Sequence, residues 1–392
     1  MANEIDIHDS FRKWVIKHGV TINPAITARN LPGKGFGMVS VKPVKADEVL
    51  IKLPVETLIT IDSTFAQDSR IPSNITVHSA LATAWTLNAA SHEDRKLQEW
   101  EATWPSRADL ESYSPLFWPP ASQDRLTPAG KVYLADVQRK IAKDWAEIKS
   151  TITAAGQSEA DYRYYWMMVN TRCFFWKFAK AHTADSPPSS VDECMALCPY
   201  ADYFNHASSG CTFRAEPTYC AIVADRDYPA DVEINISYGT HNNDMLLVEY
   251  GFLLQNNLHD HIKLDALLLP KFNEKQRTLL TELGYLGDYA LDRVEVCFRT
   301  RIAMAVLLLP ARFAQRYAET GELSKSRRVV LADGMADLLQ ELQDEINAAL
   351  KEIKRAKDGS LAADMVKRRW EEWKRIVDTT EAWDASDSDD EG

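Results

Sequence analysis

The sequence predicts an α+β protein in which two strand-rich segments flank a helical block and a long helical region follows. Residues 1–62 and 191–258 contain short β-branched or alternating runs between turn residues. Between these segments, and again after residue 258, the apolar spacing becomes helical. We therefore expect a β-rich core that is interrupted by a helical insertion and followed by an all-α C-terminal domain.

Composition limits the class of protein. The 392 residues are 45% hydrophobic, enough for two or three compact units. The formal net charge is −12, which argues against a nucleic-acid binder because phosphate contacts need clustered Lys and Arg. Residues 381–392 carry six acidic side chains and no basic one, half of that net charge. Such a composition predicts a disordered acidic tail.

No feature of the sequence predicts a membrane or secreted protein. The longest apolar run near the C-terminal half, residues 302–309, is far shorter than the roughly 20 residues that cross a bilayer. The N-terminus is acidic and polar, unlike a signal peptide. Six cysteines without a CxxC pair argue against a disulfide framework. These features predict a protein of the cytoplasm or the nucleus.

The first part, residues 1–62, is expected to hold a helix and the first strands. Phe11, Trp14 and Val15 share a helical face, and Gly19 is placed to end the helix. A glycine-rich turn at residues 32–37 follows. The predicted strands are residues 38–44, 49–54 and 57–60.

The next part, residues 63–190, is predicted to be a helical insertion, with residues 77–85 and 131–148 as its clearest helices. A Ser- and Pro-rich loop at 186–190 closes it. Strands resume in residues 191–258, and residues 259–380 are helical again. The predicted strands are residues 212–214, 219–224 and 232–237, and the predicted C-terminal helices are residues 274–283, 294–309, 335–354 and 362–376.

The candidate site comes from two segments thirty residues apart. Asp202, Asn205 and His206 place a carboxylate, an amide and an imidazole within five residues, and Tyr-Gly pairs follow at Tyr238 and Tyr250. A metal site is disfavoured because no second cluster supplies the remaining ligands. Two interpretations stay open for these polar residues: they satisfy buried backbone groups, or they bind a polar cofactor.

The glycine-rich segment 33–37 does not match a phosphate-binding loop, because no Gly-Lys-Ser/Thr follows at the required spacing. Alone it predicts a plain turn. Its functional interpretation is a close backbone approach to a ligand, with Phe36 as an apolar lid.

Together these motifs resemble a known family. GKGFGMVS at 33–40, PYADYFNH at 199–206 and ISYGTHNNDMLLVEYGF at 236–252 are similar, in this order, to the SET-domain protein methyltransferases. With the helical insertion, the chain resembles the Rubisco large-subunit methyltransferase branch over about residues 10–260. The resemblance implies a SET core with a pseudoknot, and a substrate-binding domain in the helical region 259–380.

The resemblance also implies roles for individual residues. Tyr238 matches the catalytic tyrosine of the family. Two other sets match the binding residues for S-adenosylmethionine and for the substrate. The cofactor set is Lys34, Gly35, Phe36, Arg172, Asn205, His206, Tyr250 and Phe252, and the substrate set is Asp202, Arg172, Phe174 and Ala201. The chain departs from the family at Ala207, where Ser is usual, and it lacks the Cys-rich zinc segment of many histone-modifying relatives. The missing segment favours a non-histone substrate.

The expected reaction is methylation of a protein lysine, with S-adenosylmethionine as the methyl donor and no metal. A neutral amine must be held in line with the methyl group, so positioning and desolvation provide most of the rate enhancement. The aromatics after Arg172, residues 174–176, suit a lysine stem better than an imidazole, whose second nitrogen would need a partner. The family analogy favours a ribosomal or translational protein as the substrate.

Two alternatives remain at this stage. The chain could methylate histidine, or it could be a non-catalytic SET-fold module that binds a protein partner. In either case we expect a monomer that binds neither nucleic acid nor membranes.

Overall fold

The computed structural model describes residues 2–91, 97–179, 188, 193–294 and 296–380. These residues form two compact units, one made of Met1–Leu110 and Asp136–Thr240 and the other of Glu111–Ala135 and His241–Gly392. The predicted acidic tail lies outside the described residues, as does most of the predicted loop at 186–190. Helices and short strands both occur, as predicted for the α+β class.

The strands of the first unit form one four-stranded antiparallel sheet and two hairpins. The sheet has the order β1-β4-β8-β7, and the hairpins are β2-β3 and β5-β6. The strands are β1 (Thr21–Ile22), β2 (Ile26–Leu31), β3 (Gly35–Ser40), β4 (Val49–Pro54), β5 (Cys173–Phe175), β6 (Met195–Leu197), β7 (His206–Glu216) and β8 (Tyr219–Val223). The buried residues of β4 and β8 form the centre of this sheet.

The helices up to residue 172 lie mostly in the first unit, and residues 120–123 belong to the second. They are α1 (Ala2–Lys17), α2 (Val77–Ala90), α3 (Gln98–Glu101), α4 (Arg107–Tyr113), α5 (Pro120–Gln123), α6 (Pro128–Ala154) and α7 (Glu159–Arg172). In α1, Phe11 and Val15 are fully buried, as their spacing predicts. Helix α7 begins with a capping box in which Ser158 and Asp161 bond reciprocally to each other's backbone N–H groups.

Two local predictions are wrong. Residues 57–60 do not form a strand, because the chain makes a single 3-10 turn at Val55–Thr57 and only Ile59 bridges to Leu197. The second concerns the insertion, which was predicted to be helical over residues 63–190, whereas its last described helix ends at Arg172. Cys173 is extended there, with φ −79° and ψ 148°, and begins the hairpin β5-β6. Aromatic residues favour such strands, which explains why Phe174 leaves the helix.

The second unit is mainly helical. Its elements after residue 240 are α8 (Asn243–Tyr250), β9 (Ile262–Lys263), α9 (Asp265–Leu268), α10 (Glu274–Glu282), β10 (Ala290–Leu291), α11 (Phe298–Leu308), α12 (Ala311–Thr320), α13 (Lys325–Ala356) and α14 (Leu361–Thr379). The long helices α13 and α14 pack against each other, and Gln343 donates to the Asp378 carboxylate at 3.0 Å. The predicted C-terminal helices correspond to α10, α11, α13 and α14.

A buried charge cluster ties α14 to the start of α8 within the second unit. Arg369 is 1% exposed, and its guanidinium lies 2.7 Å from Asp244 and from Asp260 and 3.1 Å from Glu372. The Trp373 indole also donates to Asp244 at 3.1 Å. Burial raises the pKa of the Glu372 carboxyl, although Arg369 opposes this effect.

Candidate active site

The glycine-rich turn joins β2 to β3 and carries three of the predicted cofactor residues. Leu31 pairs with Gly35, and the Lys34 N–H donates to the Leu31 carbonyl oxygen at 3.0 Å. Gly35 has φ +72°, a conformation that favours glycine, and open space lies where a Cβ would be. The Phe36 ring is half-buried. The turn therefore presents an accessible backbone beside an aromatic ring.

Residues 231–236 lie between β3 and the Asn-His pair. On one side, the Ile234 N–H donates to the Met38 carbonyl oxygen at 2.8 Å. On the other side, the Ile236 N–H donates to the Asn205 carbonyl oxygen at 3.1 Å. The predicted strand 232–237 is thus an extended segment bonded on both sides, although it joins its neighbours only through isolated bridges. The segment thus links the strand that follows the glycine-rich turn to the Asn-His pair, so that both lie beside it.

Gly210 in β7 allows the segment 231–236 to lie in close contact with the backbone of β7. A Cβ on Gly210 would stand 2.3 Å from the Asn235 carbonyl oxygen, closer than real Cβ contacts. The Cys211 N–H donates to that same oxygen at 2.8 Å. Only glycine allows the two backbones to approach this closely.

Tyr238 is fixed next to the Asn-His pair by two hydrogen bonds. Its N–H donates to His206 Nδ1 at 3.0 Å, and its hydroxyl donates to the Phe204 carbonyl oxygen at 2.9 Å. The Tyr238 and His206 ring centroids are 5.0 Å apart. Burial raises the pKa of the Tyr238 hydroxyl above its usual value, so the group stays protonated at physiological pH.

Arg172 and Asp202 form a largely buried ion pair whose charges affect the pKa of the Tyr238 hydroxyl. Arg172 Nε lies 3.4 Å from Asp202 Oδ2, and that oxygen accepts from the Trp100 indole at 2.9 Å. The guanidinium lies 5.6 Å from the centre of the Trp104 ring. Burial raises the pKa of the Asp202 carboxyl, opposed by Arg172 and by the Trp100 hydrogen bond. Arg172 lowers and Asp202 raises the pKa of Tyr238.

The other two predicted substrate residues lie on the same unit. The Phe174 ring in β5 is half-buried and packs against the Phe213 ring of β7, with centroids 4.7 Å apart. Ala201 is fully buried in the 3-10 turn Ala201–Tyr203 that carries Asp202. Phe174 therefore offers an aromatic surface, whereas Ala201 contributes through the packing of this turn.

The last two predicted cofactor residues belong to the second unit. Tyr250 ends α8, and Phe252 follows Gly251, which caps the helix in the left-handed conformation at φ +80°. The Tyr250 and Phe252 ring centroids are 6.2 Å apart. A Cβ on Gly251 would stand 2.3 Å from the Tyr113 ring, so the chain makes its turn in tight contact with that side chain.

Four residues of this site carried no motif in the sequence. Trp100 and Trp104 contact the Asp202–Arg172 pair, and their four-residue spacing is the one signal that the sequence offers for them. Glu233 Oε2 lies 2.5 Å from Lys34 Nζ, and its Oε1 accepts from Asn205 Nδ2 at 2.9 Å. His8 of α1 stacks on Phe36, with ring centroids 3.4 Å apart.

Neither a metal cluster nor a membrane span is found among the described residues. Within them, His, Cys, Asp and Glu do not form a group of three or more that could hold a metal ion. The helices described here are also too short or too polar to cross a bilayer. The six cysteines, all among the described residues, form no disulfide, and four of them are buried.

The comparison with protein families identifies the first unit. The family model of the SET domain matches residues 35–239, just over half of the chain. The chain belongs to the SET domain family. A second model, the C-terminal domain of ribosomal lysine N-methyltransferase 2, matches residues 260–381. The resemblance drawn from the three motifs is therefore confirmed.

Relatives and solved structures agree with this assignment. Ribosomal lysine N-methyltransferase set11 of Schizosaccharomyces pombe is 23% identical, covering 95% of this chain and 96% of that protein. Actin-histidine N-methyltransferase of Canis lupus familiaris is 24% identical over 66% of this chain and 45% of that protein. The solved SET domain of LSMT bound to methyllysine and AdoHcy has a TM-score of 0.63 at 15% identity, over 95% of this chain and 90% of that one. The SET fold, with its mixed strands and helices, is thus shown.

Proposed function

We propose that this chain is an S-adenosylmethionine-dependent protein-lysine N-methyltransferase that acts on a non-histone protein. The observation that carries the proposal is the position of Tyr238. Its hydroxyl is held by the Phe204 carbonyl oxygen, its backbone is held by His206, and a raised pKa keeps it protonated. A neutral, oriented hydroxyl beside the Asn-His pair of a SET domain is suited to position an attacking amine.

The residues present fit the methyl donor. S-adenosylmethionine supplies the methyl group on a sulfonium, and it has an amino-acid end and an aromatic base. The open backbone at Gly35, the half-buried Phe36 ring and the Asn205 amide offer polar and apolar contacts of the matching kinds. We propose that Lys34, Arg172, His206, Tyr250 and Phe252 complete this cofactor site, as the family resemblance implies.

The substrate lysine must lose its proton before it attacks. An apolar, partly buried environment lowers an amine pKa from its usual value of about 10.4. In this chain the Phe174–Phe213 pair supplies an aromatic surface for the aliphatic stem. Tyr238 then orients the amine through its hydroxyl oxygen, and the Asp202–Arg172 pair sets the local field around that hydroxyl.

We propose a ribosomal or translational protein as the substrate class. Support comes from the relative named ribosomal lysine N-methyltransferase, which this chain matches over nearly its whole length. The C-terminal match to the domain of the ribosomal lysine N-methyltransferase 2 type points the same way. We further propose a monomer in the cytoplasm or nucleus that does not itself bind nucleic acid or membranes, which sedimentation and cell fractionation would test.

A labelling experiment tests the activity. The purified chain is incubated with methyl-labelled S-adenosylmethionine and an extract of cells that lack this protein. We expect a labelled protein band that is lost with Tyr238→Phe, which removes only the hydroxyl. Tyr219→Phe is the matched control, because this tyrosine of β8 contacts Lys52 and lies outside the proposed site. Absence of any band, or equal labelling by Tyr238→Phe, would contradict the proposal.

Histidine methylation is a second candidate, favoured by the matches to actin-histidine N-methyltransferases. Mass spectrometry of the labelled peptide decides between the two residues. A non-catalytic SET-fold module is a third possibility, and it predicts that calorimetry detects no binding of S-adenosylmethionine to the wild-type chain.

A further inference from the structure

Glu233 joins the two backbone elements that the proposed function assigns to the cofactor. Its Oε2 lies 2.5 Å from Lys34 Nζ in the glycine-rich turn. Its Oε1 accepts from Asn205 Nδ2 in the Asn-His pair at 2.9 Å. Charge-assisted hydrogen bonds of this kind are about twice as strong as neutral ones. One carboxylate therefore holds both elements at once.

The backbone near Glu233 pairs with both elements, which explains how one side chain reaches both of them. Glu233 forms an antiparallel bridge with Val39 of β3, the strand that follows the glycine-rich turn. Three residues later, Ile236 forms a parallel bridge with His206. The Glu233 side chain is 18% exposed and the Lys34 side chain 58% exposed, so the bond to the Asn205 amide is the better shielded of the two contacts.

Gly37 provides independent evidence that the Asn205 and Glu233 side chains are closely packed against the glycine-rich turn. A Cβ at this position would stand 2.5 Å from Asn205 Nδ2 and 3.3 Å from Glu233 Oε1. Its φ is not in the left-handed range, so the backbone alone does not demand glycine. The glycine instead leaves room for the Asn205–Glu233 hydrogen bond and for the Leu31 side chain, whose Cδ1 would stand 2.5 Å from the same Cβ.

We infer that Glu233 is a positioning residue that sets the separation of the glycine-rich turn and the Asn-His pair, and thereby the affinity for S-adenosylmethionine. Glu233 acts through Lys34 and Asn205 and need not touch the cofactor. The inference rests on the proposed function, because it assumes that these two elements bind the methyl donor. It predicts that loss of the carboxylate weakens cofactor binding more than it slows the chemical step.

Calorimetry with S-adenosylmethionine tests the inference on the full chain. We expect Glu233→Gln to weaken binding roughly tenfold, because it removes the charge that strengthens both contacts. The KM for S-adenosylmethionine should rise similarly, while kcat at saturating cofactor should change less than about twofold. Asp227→Asn is the matched control, because it breaks the 2.7 Å ion pair with Lys45 on the same unit, away from the turn.

A double-mutant cycle tests the route through Lys34. If Glu233 acts by way of Lys34, then Lys34→Met and Glu233→Gln are not additive, and the double variant loses less affinity than the two single losses combined. Gly37→Ala should also weaken binding, because its methyl group displaces the Asn205 amide. Thermal unfolding of each variant without cofactor shows whether the fold is retained.

The outcomes separate this inference from the proposed function. If the wild-type chain does not bind S-adenosylmethionine, the proposed function fails first. If the wild type binds and a folded Glu233→Gln binds within twofold of it, the positioning role is overturned and the proposed function stands. A fall in kcat with unchanged cofactor affinity would overturn the positioning role as well.

Discussion

At the scale of single residues, Tyr238 shows how burial prepares a functional group. Its hydroxyl donates to the Phe204 carbonyl oxygen, and desolvation opposes its ionisation. Arg172 alone would favour the phenolate, but burial has the larger effect. The hydroxyl therefore remains a neutral group of fixed direction, as the proposed positioning of an amine requires.

This property predicts the pH dependence of the reaction. The raised pKa of Tyr238 means that its protonated form persists above the usual tyrosine value of about 10. We expect kcat/KM to rise with pH up to about 9.5 as more of the amine becomes neutral, without a decline from tyrosine ionisation. Initial rates from pH 6.5 to 9.5 measure this. A descending limb below pH 9.5 in a chain that stays folded would contradict the assignment.

The Tyr238→Phe variant also has an expected magnitude. Loss of a positioned donor in an active site typically lowers kcat by about 10²–10³-fold. Because the backbone N–H bond to His206 does not depend on the hydroxyl, the ring should keep its place. Single-turnover rates should fall while the affinity for S-adenosylmethionine stays within about threefold. A large loss of cofactor affinity would show instead that Tyr238 holds the fold of the site.

The site residues differ in how far the sequence could predict them. Asn205, His206 and Tyr238 stand in short motifs, and the resemblance pointed to each of them. Glu233 could not be found in this way, because its partner Lys34 lies 199 residues earlier in the chain. The alternation with buried Ile234 indicates only the face that Glu233 occupies, and no local pattern encodes a contact over that distance.

At the scale of secondary-structure elements, the sequence predicts best where one period dominates. The strand 49–54 is observed with the same bounds, and the helix predicted at 274–283 is observed as Glu274–Glu282. Prediction was wrong where tertiary contacts override the pattern, as at Ile59, which forms an isolated bridge with Leu197. It was also incomplete for β7, which begins at His206 because the segment 231–236 pairs with it there.

The close contact between Gly210 of β7 and the Asn235 backbone leads to a prediction about these two elements. Gly210→Ala places a methyl group against the Asn235 carbonyl oxygen, and neither backbone can yield easily. We expect a loss of about 1–3 kcal/mol in the free energy of unfolding and weaker cofactor binding, because the displaced segment also carries Tyr238. Urea denaturation and calorimetry measure the two effects.

Gly359→Ala is the control for this change. A Cβ on Gly359 meets nothing within 4 Å, and its φ is not in the left-handed range. The free energy of unfolding of the Gly359→Ala variant should stay within about 0.5 kcal/mol of wild type. Equal stability of the two variants would show that the backbones at Gly210 are farther apart than described.

At the scale of the whole molecule, each compact unit has its own source of stability. The first has the sheet around β4 and β8, and the second has helical packing and the charges around Arg369. A buried ion cluster is not in itself stabilising, but removal of Arg369 leaves the carboxylates of Asp244, Asp260 and Glu372 without their buried cation. The stability of the second unit should therefore be sensitive to the loss of the Arg369 charge.

Two substitutions on α14 test that statement. Arg369→Met should lower the free energy of unfolding of the second unit by about 3–5 kcal/mol, because the Asp244 and Asp260 carboxylates lose their buried partner. Arg375→Met is the control, since this side chain is 67% exposed and lies 4.0 Å from Glu372. The control should stay within about 0.5 kcal/mol in urea denaturation. Equal losses would contradict the role of the cluster.

The raised pKa of Glu372 adds a pH dependence with a definite sign. A carboxyl with a higher pKa in the folded state binds its proton more tightly there, so its contribution to stability grows as pH falls towards the usual value of about 4.3 and is lost as pH rises. Glu372→Gln imitates the protonated form. We expect unchanged or higher stability at neutral pH and a smaller gain on mild acidification, as measured by thermal unfolding between pH 5 and 8.

The contact between Glu233 and Lys34 also has a consequence for the order of folding. The glycine-rich turn is synthesised early, but the carboxylate that fixes it arrives 199 residues later. Contacts of such long sequence separation form slowly and late. A nascent chain therefore gains the ability to hold a methyl donor only when nearly all of the SET domain has been made, and fragments that end before residue 231 should be silent in any cofactor-binding assay.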